Sequence, residues 1–151
     1  MSLDIQEYEI SCFCLRNTFN PSYIEFFIGT AGGKLFYFYN GWIQNTKEVI
    51  HNNAEEGPIL NVQCFNDIVA WATPANIRVI HYSRKQKICI IERPKKSLVF
   101  PEYMYSAGTV KPNMTWKKDI QNNAELLYVS WFNIIKVCKI TKRADDDRYS
   151  V

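Results

Sequence analysis

The chain has 151 residues, of which 47% are hydrophobic and 15% aromatic, a composition that excludes an intrinsically disordered or low-complexity protein. The net charge of +3 is mild, whereas a nucleic-acid-binding domain usually concentrates more positive charge. No apolar run approaches the roughly 18 residues of a membrane-spanning helix, and no secretory signal is visible near the N-terminus.

Short apolar segments in the first third of the chain predict β-strands. The segments are residues 10–15, 23–28, 34–39 and 47–50. Between the second and third of them, paired glycines permit the positive φ of a tight hairpin, so we expect a turn near Gly32-Gly33. The polar residues 51–58 that follow predict a loop.

The middle of the chain repeats this organisation. Four further strands are predicted at residues 59–65, 68–72, 77–82 and 87–92. Their connections are short, with one turn at Pro74-Ala75, and such a succession is typical of an antiparallel meander.

The last third gives an incomplete third set. Residues 114–117, 126–131 and 134–140 predict strands, with a hairpin turn at Phe132-Asn133. We expect this set to stop after two or three strands. The acidic run 145–147 near the C-terminus is interpreted as a solvated or frayed end.

The three sets are related by their spacing, which is the main finding from the sequence. Leu35 and Ile77 occupy equivalent places 42 residues apart, within the roughly 40–45 residue period of a four-stranded propeller blade. Ile135 follows Ile77 by 58 residues, which indicates an insertion, placed at residues 94–112. We therefore predict an all-β fold, a partial WD40-like β-propeller of about two and a half blades; the alternative is a β-sandwich or barrel.

The blade-like units are expected at residues 9–50, 58–93 and 113–141 of a single domain over residues 4–151, with residues 1–3 a possible cloning remnant. Neighbouring blades cover each other's apolar faces, so the repeat positions should be buried. The residues predicted to be buried are Val69, Trp71, Ile77, Val79, Val129, Trp131, Ile135 and Val137.

The sequence offers no catalytic constellation, and we predict no enzyme activity, no cofactor and no bound metal. The five cysteines lie in apolar strand-like runs without Cys-x-x-Cys spacing, as expected of reduced core cysteines. His51 and His81 have no evident nucleophile or carboxylate partner at a recognisable spacing. The segment 29–34 lacks the Gly-Lys-Ser/Thr ending of a phosphate-binding loop.

Basic residues recur between strands and give the one candidate binding surface. Arg93, Lys95 and Lys96, with Tyr103 nearby, are candidate partner-binding residues for an acidic protein or anionic lipid headgroups. The other interpretation is that solvated turns are simply basic. Two functions follow: a scaffold for protein–protein contacts, or a basic all-β domain that binds nucleic acid or anionic lipid directly.

Several motifs in order resemble the vacuolar protein sorting-associated protein 41 family, subunits of the HOPS membrane-tethering complex. The motifs are Glu55-Glu56-Gly57, Val69-Ala70-Trp71-Ala72, Arg93-Pro94, Trp131 and Val137-Cys138. The resemblance covers roughly residues 9–140, and it departs from the family pattern at Cys64, Asn76 and Ser130.

The resemblance implies the N-terminal β-propeller portion of a longer tethering subunit. It implies a non-catalytic scaffold, cytoplasmic and peripheral to late endosome or vacuole membranes, that reaches the membrane through its partners. The implied partners are other tethering-complex subunits, a Rab-family GTPase or an adaptor coat, and no nucleic acid. Because both end blades of an open propeller expose apolar sheet, we also expect the chain to self-associate.

Overall fold

A computed structural model describes residues 8–16, 23–40, 45–95, 110–145 and 147–151. These residues form three four-stranded antiparallel sheets. Sheet 1 contains β1 (Ile10–Arg16), β2 (Ile24–Thr30), β3 (Lys34–Asn40) and β4 (Asn45–Asn52). Sheet 2 contains β5 (Asn61–Phe65), β6 (Ile68–Ala72), β7 (Asn76–His81) and β8 (Gln86–Glu92). Sheet 3 contains β9 (Asn113–Asp119), β10 (Ala124–Trp131), β11 (Ile134–Lys142) and β12 (Tyr149–Ser150).

The strands of every sheet are ordered as they occur along the chain, and a 3-10 turn, Ala54–Glu56, connects the first two sheets. The first strands of neighbouring sheets contact each other, β1 with β5 and β5 with β9. This radial arrangement of successive meanders is that of propeller blades. The predicted all-β, partial-propeller fold is therefore confirmed. The predicted remnant 1–3, Asp146 and most of the insertion 94–112 lie outside the described residues.

Turn residues set the hairpins where the sequence predicts them. Gly33 has φ of 79°, and a Cβ there would lie 2.7 Å from the carbonyl oxygen of Asn53, so the β2–β3 hairpin requires glycine. At Pro74-Ala75 the Thr73 hydroxyl accepts hydrogen bonds from the backbone N–H of Ala75 at 3.2 Å and of Asn76 at 3.3 Å. The two-residue turn Phe132-Asn133 joins β10 to β11.

Two apolar cores lie between the sheets. Sheets 1 and 2 bury a cluster that comprises Cys12, Phe27, Leu35, Tyr37, Ile59, Val62, Val69 and Trp71. Sheets 2 and 3 bury a second cluster, whose largest members are Ile77, Leu127, Trp131 and Ile140. Sheet 2 is therefore covered on both faces, which explains why β6 is buried at all five positions.

Six of the eight predicted core positions are buried, and the prediction is wrong for Ile135 and Val137, which are 71% and 55% exposed. Their alternation puts Cys138 and Ile140 on the buried face of β11 instead. Lys136 lies half-buried on the same side of the strand as Cys138, and its Nζ donates to the carbonyl of Glu92 at 2.8 Å. The exposed Lys139 shares the outward side with Ile135 and Val137.

The end of the chain is ordered, which corrects two expectations. β12 pairs with β11, so the third set has four strands rather than two or three, and the chain holds three blades rather than two and a half. The Gln86 side chain donates to the Tyr149 carbonyl at 2.9 Å and accepts from the Tyr149 N–H at 3.2 Å. Asp147, the last residue of the acidic run, pairs with Arg84 of the neighbouring sheet and is therefore anchored rather than frayed.

The outward faces of sheets 1 and 3 carry exposed apolar side chains. On sheet 1, Phe26 and Phe38 stack with ring centroids 5.3 Å apart, and Phe26 borders a hollow of about 300 Å³. Three residues on the rim of this hollow, Phe13, Leu15 and Ile24, are at least half exposed. The rest of this face is buried at Ile28, Phe36 and Phe38, where Tyr8 packs against the cluster.

Candidate functional site

A groove of about 550 Å³ opens between the outer strand of sheet 1 and the outer strands of sheet 2. Its walls come from β4 and from β7 and β8. The sheets pack through strands nearer the centre, and radially arranged sheets diverge towards their outer strands, so a cleft forms between the rims of two blades. This inter-blade groove is the candidate functional site.

One end of the inter-blade groove is held by a charged network around Glu56. The carboxylate accepts a hydrogen bond from Arg78 Nε at 3.1 Å and another from Asn53 Nδ2 at 3.1 Å. Hydrogen bonding to Arg78 lowers the pKa of Glu56, so this carboxylate stays ionised at neutral pH. The network fixes the loop that joins the two sheets against β7.

His51 lies beside this network, with Nε2 3.6 Å from a carboxylate oxygen of Glu56. A carboxylate therefore lies near His51, although 3.6 Å is too long for a hydrogen bond. The 3-10 turn brings Glu56, five positions after His51 in the sequence, back towards β4. Burial lowers the pKa of His51 in spite of the carboxylate, so the imidazole is neutral at pH 7.

The other end of the groove is rimmed by charges that are already paired. Tyr82 donates its hydroxyl hydrogen to Glu48 at 2.7 Å, and Lys85 pairs with the other oxygen of that carboxylate. The Lys85 ammonium also lies 4.3 Å from the centroid of the Tyr82 ring. Lys87, which lines the groove two residues after Lys85, is exposed and makes no ion pair with the described residues.

The floor of the groove is apolar. Ile50 and Ile88 line it half-buried, and Ile90 lines it with 55% of its surface exposed. Trp71 and His51 also line the groove, and each has a ring nitrogen that is buried without a hydrogen-bond partner among the described residues.

A family model for the Vps41 β-propeller, described as "Vps42 beta-propeller", matches residues 6–150. The chain belongs to the Vps41 β-propeller family. It is 30% identical over 116 residues to the vacuolar protein sorting-associated protein 41 homolog of Solanum lycopersicum, covering 77% of this chain and 11% of that relative. The homolog of Danio rerio is 27% identical over 135 residues, covering 89% of this chain and 14% of the relative.

The chain therefore spans about a tenth of the length of the curated Vps41 relatives that it matches; for the homolog of Arabidopsis thaliana, 28% identical, the share is 10%. The three blades with their two shared cores agree with membership of a β-propeller family. One of the motifs that carry the resemblance, Val69-Ala70-Trp71-Ala72, forms β6, the strand that is buried between both neighbouring sheets.

Of the partner-binding residues predicted from the basic segments between strands, the two that the structure describes, Arg93 and Lys95, do not line the groove. Arg93 donates to the carbonyl of Pro74 at 2.9 Å, and its guanidinium lies 5.6 Å from the Phe132 ring centroid. Lys95 is exposed. Lys96 and Tyr103 lie outside the described residues. Partner binding by this basic segment stays a prediction.

Sequence reasoning did not identify the inter-blade groove. Its walls are 20 or more residues apart along the chain, for example Glu56 and Arg78, whose separation is 22 residues. The one available signal is that Glu56 falls inside the motif Glu55-Glu56-Gly57, which resembles the Vps41 family.

Proposed function

We propose that this chain is a non-catalytic protein–protein interaction scaffold, part of a membrane-tethering subunit in endosome and vacuole trafficking. The observation that carries the proposal is the inter-blade groove, with its apolar floor and its charged ends fixed by ion pairs. Membership of the Vps41 β-propeller family supports the trafficking context, since the curated relatives are named for vacuolar protein sorting.

The groove suits an extended segment of a partner protein. Its apolar side chain would cover Ile88 and Ile90 on the groove floor. Lys87 favours an acidic residue at the rim. The paired charges of Glu48 and Glu56 stay in place on binding, so they contribute little to affinity and serve to shape the cleft.

The test is a pair of exposed-residue substitutions in the full-length parent protein, with binding to purified tethering-complex subunits as the readout. Ile90→Glu puts a charge on the groove floor, whereas Ile120→Glu changes a residue that is 81% exposed in the β9–β10 turn and serves as the matched control. Burying an isoleucine is worth about 1.5–3 kcal/mol, so we expect Ile90→Glu to weaken binding by about tenfold or more. Equal affinities of the two variants would contradict the proposal.

The alternative of direct nucleic-acid or lipid binding is less well supported, because many of its basic side chains are paired. Lys85 contacts Glu48, Arg84 contacts Asp147, and the Arg93 guanidinium is bound to the protein backbone. Such pairing lowers the positive potential that a polyanion needs.

By the same family resemblance, we extend the proposal to partners and location. The partners are other tethering-complex subunits, a Rab-family GTPase or an adaptor coat, and the site of action is the cytoplasmic side of late endosomes or the vacuole. Within the described ranges, no helix has the length and apolar character needed to cross a bilayer. Membrane association in this proposal is peripheral and depends on the partners.

We also include self-association of the isolated chain in the proposal. The outward side of β1 exposes Phe13 at 67% and Leu15 at 59%, and sheet 3 exposes Ile135 at 71%. A second copy that covers such faces removes apolar surface from water. Sedimentation equilibrium should show a mass that rises with concentration. A monomer of 17.7 kDa at every concentration would contradict this part of the proposal.

A further inference from the structure

Two cysteines from different blades meet at the contact between β1 and β5. Cys14 and Cys64 are 50 residues apart in sequence, and their Sγ atoms are 3.4 Å apart. Both side chains are half-buried, so small molecules in solution can reach the edge of the pair. A disulfide needs the sulfurs at about 2.05 Å, so a shift of little more than 1 Å would bond them.

The surroundings make the two thiols unequal. A hydrogen bond from Cys64 lowers the pKa of the Cys14 thiol to about 7, and the same contact raises the pKa of Cys64. The carbonyl of Leu15 accepts from Cys64 Sγ at 3.3 Å, which holds the second thiol beside the first. One sulfur is thus prepared as a thiolate nucleophile, and the other as its neighbouring resolving thiol.

We propose that Cys14 and Cys64 form a disulfide when the chain meets a hydroperoxide, and that this bond links sheet 1 to sheet 2. The Cys14 thiolate attacks the terminal peroxide oxygen, the O–O bond breaks, and the hydroxide or alkoxide leaves with a proton as water or alcohol. Cys14 becomes a sulfenic acid. Cys64 then attacks that sulfur, the S–O bond breaks, and water leaves with the Cys64 proton.

The step balances: two thiols lose two protons and two electrons, and the peroxide takes up both and becomes two molecules of water or one of water and one of alcohol. The bond would fix two blades where their first strands touch. It does not depend on the function proposed for the inter-blade groove, which lies at the opposite, outer strands of the same two sheets.

The other three cysteines provide the contrast. Cys89 and Cys138 also meet between blades, but their sulfurs are 3.8 Å apart and Cys138 is buried. Burial raises the pKa of the Cys12 thiol, and its Sγ donates to the buried carbonyl of Ile59 at 3.6 Å. A hydrogen bond from Cys89 lowers the pKa of the Cys138 thiol as well, so exposure and the shorter distance between the sulfurs are what favour Cys14 and Cys64 as the first pair to be oxidised.

The experiment treats the reduced chain with increasing hydrogen peroxide, blocks the remaining thiols by alkylation, and maps the peptides by mass spectrometry. We expect a cross-linked peptide pair containing Cys14 and Cys64 at the lowest effective dose, with Cys12 and Cys138 still alkylated. Cys14 carried to sulfinic acid while Cys64 stays free would overturn the proposal, and so would the Cys89–Cys138 pair forming first.

Two variants make the test independent of folding defects. In Cys64→Ser the cross-link must disappear while a sulfenic-acid reagent labels Cys14; in Cys89→Ser the cross-link must form as before. The bond closes a loop of about 50 residues, so the melting temperature of the oxidised chain should rise on the order of 10 °C and return on reduction. A cross-link that leaves the melting temperature unchanged would contradict the claim that it fixes the two blades.

Discussion

Gly29→Ala tests the packing of sheet 1 against sheet 2 with the smallest change available. Gly29 lies in β2, and a Cβ built there would approach Ile59 Cγ2 at 2.5 Å and Cys12 Sγ at 2.6 Å. Both neighbours belong to the core between the sheets, with Ile59 fully buried and Cys12 8% exposed. Neither has free space to move into, so the added methyl group must push the two sheets apart.

The magnitude follows from two opposing contributions. One buried methyl group gains about 0.8 kcal/mol of hydrophobic transfer free energy. Overpacking a filled core typically costs about 1–3 kcal/mol, because side chains leave their preferred rotamers. We therefore expect Gly29→Ala to lower the free energy of unfolding by the difference, about 0.2–2 kcal/mol, out of the roughly 5–15 kcal/mol of a typical domain.

The assay is equilibrium unfolding in urea followed by tryptophan fluorescence, with Gly32→Ala as the matched control. Gly32 lies in the hairpin that follows β2, and a Cβ there meets nothing within 4 Å. This control should be neutral or more stable by about 0.4–1 kcal/mol, since alanine restricts the unfolded chain. If Gly29→Ala and Gly32→Ala unfold at the same urea concentration, the close packing of β2 on sheet 2 is wrong.

Three further predictions concern single side chains. Trp71→Ala should cost about 3–5 kcal/mol in unfolding free energy, because Trp71 is 3% exposed. Ile135→Ala should cost under about 0.5 kcal/mol, because Ile135 is 71% exposed. Similar losses for the two variants would refute the assignment of Trp71 to a buried face and Ile135 to an exposed one. The pKa of Glu56 is lowered in the folded state, so its carboxylate stabilises the fold above the unfolded pKa, and this stabilisation is lost as the pH falls through the folded pKa. In urea unfolding, the loss of stability in Glu56→Gln should therefore shrink between about pH 5 and pH 3. A loss that stays constant with pH would contradict the contact with Arg78. The lowered pKa of His51 likewise removes stability as pH drops below about 6.5, and His51→Gln should flatten that slope.

The sequence predicts the blades well because strand and turn signals are local. The alternation within β7 and the turn at Pro74-Ala75 depend on residues next to each other, and the repeat spacing then orders the blades. The sequence-based prediction fails where contacts between residues far apart in the chain determine the structure. The acidic run 145–147 looks solvated, yet Arg84 of another sheet anchors Asp147, and the two-residue strand β12 is too short to give a pattern.

The faces of β11 and the inter-blade groove also depend on contacts between distant residues, which leave no local sequence pattern. Ile135 and Val137 alternate correctly for a core face, but whether that face is covered depends on which side of sheet 3 meets sheet 2. The contact of Glu56 with Arg78 joins a loop to a strand in the next sheet, and no local spacing predicts it. Sites between blades therefore emerge only once the packing of the blades is known.

Site-specific photo-crosslinking in the full-length parent tests the central claim, that the inter-blade groove is a partner-binding surface, most directly. A photoreactive amino acid would replace Ile90 on the groove floor or, as the control, the exposed Ile120 outside it. After illumination with purified tethering-complex subunits, we predict a cross-link to a defined subunit segment from position 90 and none from position 120. Equal cross-linking from both positions, or none from position 90 while the subunits remain bound, would contradict the account.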